Sequence, residues 1–144
     1  MKYIKYTLIL VLAISNVSPA VAQAPVGEPL PIVETTTEYD LQVMVNQYAS
    51  KYGVSASDMK RVIDCESGWD PAVQSQHKYT QGQVDRHPEW GVMVGQYERS
   101  FGLVQIHLPA HPTVTEEQAK DPDFAIDFMA YWFSQGKQSW WTCY

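Results

Sequence analysis

The stretch SASDMKRVIDCESGWDP, Ser55 to Pro71, holds the contradiction on which the reading of the chain turns. Ser55 and Asp58 stand three apart, the spacing of a helix opening in which a hydroxyl accepts an orphan backbone N–H and an acid reaches back. Met59, Val62 and Ile63 then recur at helical spacing and form one apolar stripe. The next position on that stripe is Glu66, a carboxylate where a fourth apolar side chain belongs. Gly68 is placed to end the helix, and Asp70, kept extended by Pro71, turns the chain away. Glu66 therefore sits in the last turn, on the face that otherwise goes to the core. Three readings compete: a frayed end in solvent, an ion pair, or a partly buried carboxyl. In the third, desolvation and the negative end of the helix dipole both favour the protonated form. Lys60 and Arg61 project from other faces, and position alone leaves the choice open.

Working outward, the flanking segments are also helical. In EYDLQVMVNQYASKYG, Leu41, Met44, Val45, Tyr48, Ala49 and Tyr52 share one helical face, and Gly53 closes it. Downstream, TEEQ (115–118) is a capping box with Thr115 as cap, and Asp121-Pro122 starts a longer helix. Along it Phe124, Ala125, Phe128, Met129, Trp132 and Phe133 form a broad face, read here as core, that ends near Gly136. The expectation is a mainly α domain over 39–144, large enough to bury a core of its own.

Ahead of it, Lys2 and Lys5 precede the apolar run TLILVLAISNV (7–17), and Ala20-Val21-Ala22 follows as a small-x-small site. A run of eleven residues falls short of the roughly 20 that a spanning helix needs, so residues 1–22 read as a signal peptide cleaved near Ala22. Residues 23–38, with three prolines and three consecutive threonines, read as a linker or arm. The mature chain would be secreted or held in the envelope or periplasm, with no membrane span, and is expected to act as a monomer. Losing Lys2 and Lys5 takes the net charge from −6 to −8. So acidic a chain lacks the basic stripe that nucleic acid binding requires.

Cys65 and Cys143 are the two cysteines. In an exported chain a lone pair is most simply a disulfide, and the closed loop contributes roughly 4.5 kcal/mol by chain entropy. Two unpaired buried thiols are the alternative reading. A zinc site needs more ligands than these supply.

ASKYGVSASDMKRVIDCESGWDPAV, followed by SFGLVQIHLPAHP, resembles the catalytic core of the soluble lytic transglycosylases in the lysozyme-like superfamily. That family has a helix ending in Glu-Ser, an Asn/Asp-Pro-x-Ala turn, a later Gly-Leu-x-Gln motif and a helix opening after Asp-Pro. The matching residues are Glu66-Ser67, Asp70-Pro71-Ala72, Gly102-Leu103-Val104-Gln105 and DPDFAIDFMAYWF (121–133). The resemblance spans roughly residues 45–135 and implies a mainly α, α+β lysozyme-like fold. It implies that Glu66 alone is the acid and base that cleaves peptidoglycan glycan strands, leaving 1,6-anhydro-muramoyl ends, with no metal and no cofactor. Gln105, with Gly102 and Leu103 of its motif, would border the glycan, Gly102 allowing close backbone approach. Ser67 would support the acid by hydrogen bonding. The family also uses a tyrosine near its acid, for which Tyr131 is the candidate and Tyr97 a rival. Chitin or another β-1,4 N-acetylglucosamine polymer would suit the same chemistry.

One departure stands out. From Glu66 to Gly102 is 36 residues, about twice the expected spacing, and the extra stretch 74–100 is polar and aromatic. Gln81-Gly82 fits a turn of a short β-hairpin there. The bland reading is a surface loop; the functional one is a flap whose Tyr79, Trp90 and Tyr97 stack on sugars. The stretch also carries Asp85. If Asp85 faced Glu66, the enzyme would instead be a hydrolytic lysozyme, since paired carboxylates either form a glycosyl-enzyme or activate water. A non-catalytic glycan-binding module is the third reading, opposed by the presence of Glu66, Ser67 and Gln105. His107 and His111 have metal-ligand spacing for a helix, but Pro109 and Pro112 break that helix, which leaves loop histidines. Trp140 and Trp141 read equally as sugar platforms or as packing around the disulfide.

Overall fold

The structure, a computed structural model, describes residues 36–144. The expected signal peptide and almost all of the expected arm lie outside the described residues. Thr37 opens α1 (Glu38–Tyr52): its hydroxyl accepts the Asp40 N–H, and the Asp40 carboxylate accepts the Thr37 N–H at 3.0 Å. Gly53 closes the helix in the left-handed region, at φ 67°, as expected of a residue without a Cβ. Ser55 opens α2 (Ala56–Ser67), accepting the Asp58 N–H at 3.2 Å. The reciprocal half of that cap is missing, because the Asp58 carboxylate turns outward to Arg61, 3.5 Å away.

α1 packs along α2 and along α5 (Pro122–Ser134), which follows α3 (Gln81–Arg86) and α4 (Glu116–Lys120) in the chain. Leu41, Val45 and Ala49 of α1 meet Met59, Val62 and Ile63 of α2 and Ala125, Ile126, Met129, Ala130 and Phe133 of α5 in one core. Each large aliphatic side chain buried there contributes about 1.5–3 kcal/mol. At the rim, Tyr48 donates to Asp123 at 2.7 Å, and Lys51 and Tyr52 both donate to Asp127, at 2.6 and 3.0 Å. These contacts, exposed or part-buried, add little stability but fix which faces of α1 and α5 meet.

The Gly-Leu-x-Gln motif is the turn of a β-hairpin. β1 (Ser100–Phe101) runs antiparallel to β2 (Ile106–His107), with Phe101 opposite Ile106, and residues 102–105 connect them. The stretch 74–100 departs from its expected turn. Gln81 and Gly82 open α3 instead, because Thr80 accepts the Gln83 N–H while the Gln83 side chain accepts the Thr80 N–H at 2.8 Å. The hairpin-like pairing lies outside that helix: Ser75 N–H donates to Ser100 C=O at 3.0 Å, and Glu98 N–H to His77 C=O at 2.9 Å. Tyr79 is 1% exposed and anchors the insertion, its hydroxyl accepting the Arg99 N–H at 3.3 Å. Cys65 and Cys143 form a disulfide. The tail is held also by Trp141, whose indole donates to Val104 C=O at 2.7 Å in the core. Among the described residues no helix is long and apolar enough to cross a membrane.

Candidate functional site

The apolar stripe of α2 runs out of core at its last turn. Met59, Val62 and Ile63 are fully buried, and Glu66, next on the stripe, is half-buried and lines a groove of about 880 Å³. The disulfide lies beside it in sequence and in space. Cys65 precedes Glu66, and the backbone N–H of Cys143, its partner, donates to Glu66 Oε1 at 3.2 Å. Among the described residues Glu66 forms no ion pair. Burial raises its pKa, and the negative charge of Glu98 adds to this; the Cys143 amide and His77 pull the other way. The net direction is upward, so the site favours the protonated carboxyl more than water does.

The groove has an aromatic wall on either side. On the insertion side, His87 stacks on Trp90 with centroids 3.8 Å apart, and Trp90 meets the His107 ring edge-on at 4.5 Å. The His107 ring is fixed at both nitrogens, Nδ1 to Ser100 Oγ at 3.0 Å and Nε2 to Tyr79 Oη at 3.4 Å. On the helical side, His111 packs against Phe128 at 5.0 Å and Trp140 at 5.7 Å. Burial lowers the pKa of both His107 and His111. All four histidines of the chain border this groove. Among the described residues, no cluster of three or more His, Cys, Asp or Glu side chains has the geometry to hold a metal ion.

Gln105 borders the groove, its backbone in the left-handed region at φ 49° and its amide donating to Gly102 C=O at 3.0 Å. The other expected site residues are placed differently. Leu103 is fully buried in the core. Gly102 permits a close approach, but to the protein itself: at φ 77°, a Cβ there would lie 1.9 Å from Ala119 C=O of α4. Ser67 turns back along its own helix and donates to Ile63 C=O at 3.0 Å. Tyr131 is exposed beside Tyr52 on the α1 side of α5, so the α5 aromatic on the groove is Phe128, read from sequence as core. Tyr97 is exposed under Lys78, outside the groove. Asp85 is exposed on α3, accepting from Gln81 at 2.7 Å, and does not border the groove. Trp140 and Trp141 divide the two readings given to them, the first half-exposed beside His111 and the second buried against Phe133.

Glu98 is the groove carboxylate that the sequence reading passed over. Residues 97–101 are extended, so alternate side chains face opposite ways. Glu98 and Ser100 point into the groove, while Tyr97 and Arg99 point out. Had Ser75–His77 and Glu98–Ser100 been recognised as paired arms, that alternation would have selected Glu98 over Tyr97.

Together the elements define a mainly helical domain with one short hairpin and a half-buried carboxyl in an aromatic groove. The chain matches no protein-family model, and no curated protein or solved structure is detectably similar to it.

Proposed function

We propose that the protein is an exported peptidoglycan-cleaving enzyme, a lytic transglycosylase of lysozyme-like fold acting on the bond between N-acetylmuramic acid and N-acetylglucosamine. The observation that carries this reading is Glu66: a half-buried carboxyl with no ion-pair partner among the described residues, its pKa raised by burial, lining a groove of about 880 Å³. A general acid at a glycosidic oxygen is helped by that combination, because burial favours the protonated carboxyl that gives up the proton. Stacking planes such as Trp90 and Trp140 suit the apolar faces of sugar rings. Gln105 adds an amide at the groove edge, and the order of the Glu-Ser, Asp-Pro-x-Ala and Gly-Leu-x-Gln segments resembles the transglycosylase core. Export is supported by the apolar run at 7–17 and by a disulfide, which persists in oxidising compartments.

In this reading neutral Glu66 protonates the bridging oxygen and the C1–O bond breaks. The muramoyl C6 hydroxyl then bonds to C1, and its proton returns to the Glu66 carboxylate. No water is consumed. Asp85, the carboxylate named for the hydrolytic alternative, is exposed on α3 and does not border the groove. Replacing Glu66 by Gln keeps the shape and removes the transferable proton. The Glu66→Gln variant should fold normally and release no muropeptides from purified peptidoglycan, and release at the parent's rate would end the assignment.

A further inference from the structure

The insertion that separates this chain from the compact transglycosylase pattern contributes a charged group as well as an aromatic wall. Glu98 reaches the same groove as Glu66 from the extended arm before β1. Both of its oxygens are held from within the insertion: Oε1 accepts from Gln83 Nε2 at 3.0 Å, and Oε2 from Ser75 Oγ at 3.3 Å. Two such donors lock the side chain in one orientation. Among the described residues no lysine, arginine or histidine forms an ion pair with Glu98. A part-buried anion without a counter-ion, beside a second carboxyl, is a costly arrangement for a purely structural residue. A glutamine at the same place would fill the space without that cost.

We propose that Glu98 is the second working carboxylate of the groove, a fixed anion that stabilises the positive charge developing on the sugar while Glu66 delivers its proton. The proposal rests on the glycan-cleaving reading above and assigns to the insertion a part in the chemistry. When the C1–O bond breaks, its electron pair leaves with the protonated oxygen, and C1 and the ring oxygen share a positive charge. A preorganised anion lowers the energy of that state without reorganising. The muramoyl oxygen then closes onto C1, Glu66 recovers a proton, and Glu98 ends the cycle as it began. The two carboxyls divide the work by environment: Glu66 sits against the hydrophobic end of α2, and Glu98 is clamped by two donors. The charge of Glu98 also reaches Glu66 itself and raises its pKa, against the opposing effects of His77 and the Cys143 amide. His87 and His107 are the other titratable groups on that side of the groove.

The test compares the purified full chain with Glu98→Gln, Glu98→Asp and Glu66→Gln, following muropeptide release from peptidoglycan across pH. Glu98→Gln should lose on the order of 100-fold in kcat, with KM little changed, because a charge that acts on the transition state alone is removed. Its alkaline limb should move to lower pH, since Glu66 no longer has a like charge nearby. Glu98→Asp should recover part of the rate and return the limb toward the parent's. A structural role would lower the melting temperature of Glu98→Gln without moving the limb, and that outcome overturns the proposal. So does a Glu98→Gln enzyme with the parent's kcat and pH profile while Glu66→Gln is inactive, in which case the glycan-cleaving reading stands alone. An active Glu66→Gln protein would bring down both.

Discussion

Removing the disulfide should loosen the site as well as the fold. Cys65 and Cys143 are 78 residues apart, and cross-linking a loop of that length lowers the entropy of the unfolded chain by an amount worth about 4.5 kcal/mol at 25 °C. For a domain of this size, at about 2.1 cal/mol/K of unfolding entropy per residue, each kcal/mol moves Tm by roughly 4–5 °C, so the chain-entropy limit is a drop of about 20 °C. Cys65→Ser should therefore lower Tm by about 10–20 °C, the smaller end applying where the unfolded chain keeps residual structure. The site should fail earlier than the fold, because the tail freed in the variant carries the Cys143 N–H that holds Glu66 Oε1 and the Trp140 ring of the groove wall. Circular dichroism melts of the parent and of Cys65→Ser, each with and without a dithiol reductant, give the measurement. The reductant should bring the parent to the variant's Tm and leave the variant unmoved. A variant melting within about 2 °C of the oxidised parent, a shift of less than 1 kcal/mol, would refute the reasoning.

Gly102→Ala places a Cβ 1.9 Å from Ala119 C=O at a φ of 77°, and should cost on the order of 3 kcal/mol in denaturant melts. Gly95→Ala has a similar φ but open space, so about 1–2 kcal/mol is expected there, and equal losses would refute the α4 contact. For pH, burial raises the Glu66 pKa above the ordinary glutamate value, so the native state keeps a proton that the unfolded chain has released. Stability from this group therefore falls as pH climbs through that window, and Glu66→Gln should melt above the parent at neutral pH and level with it below about pH 4. His107 and His111 act in the opposite sense: their lowered pKa values cost stability as pH drops from 6.5, when the unfolded chain takes up protons first. Melts of His107→Gln against the parent should converge as pH falls below about 6.

The helices were legible because their signals are local. Thr115 and Asp121 cap where their spacing places them, Gly53 and Gly68 end their helices in the left-handed region, and the stripe of Met59, Val62 and Ile63 is buried. The pairing of Cys65 with Cys143 followed from there being two cysteines. The groove was harder to read, because it is made by segments distant in sequence. Phe128 lies on an apolar helical face whether it meets core or groove, and only the fold separates it from Met129. Gln81-Gly82 resembles a turn in sequence, but Thr80 and Gln83 close a helix cap around it. Tyr97 and Glu98 are neighbours in sequence, and the extended arm sends them to opposite sides. Gly102 was expected to make room for a ligand, and the room is taken by α4.

The most direct test of the central claim is mass spectrometry of the muropeptides that the purified protein releases from peptidoglycan. A transglycosylase working through Glu66 leaves 1,6-anhydro-muramoyl ends, one water lighter than hydrolysed ends, and these should be absent with Glu66→Gln. Reducing ends in their place, or no release by a folded and oxidised sample, would contradict the account.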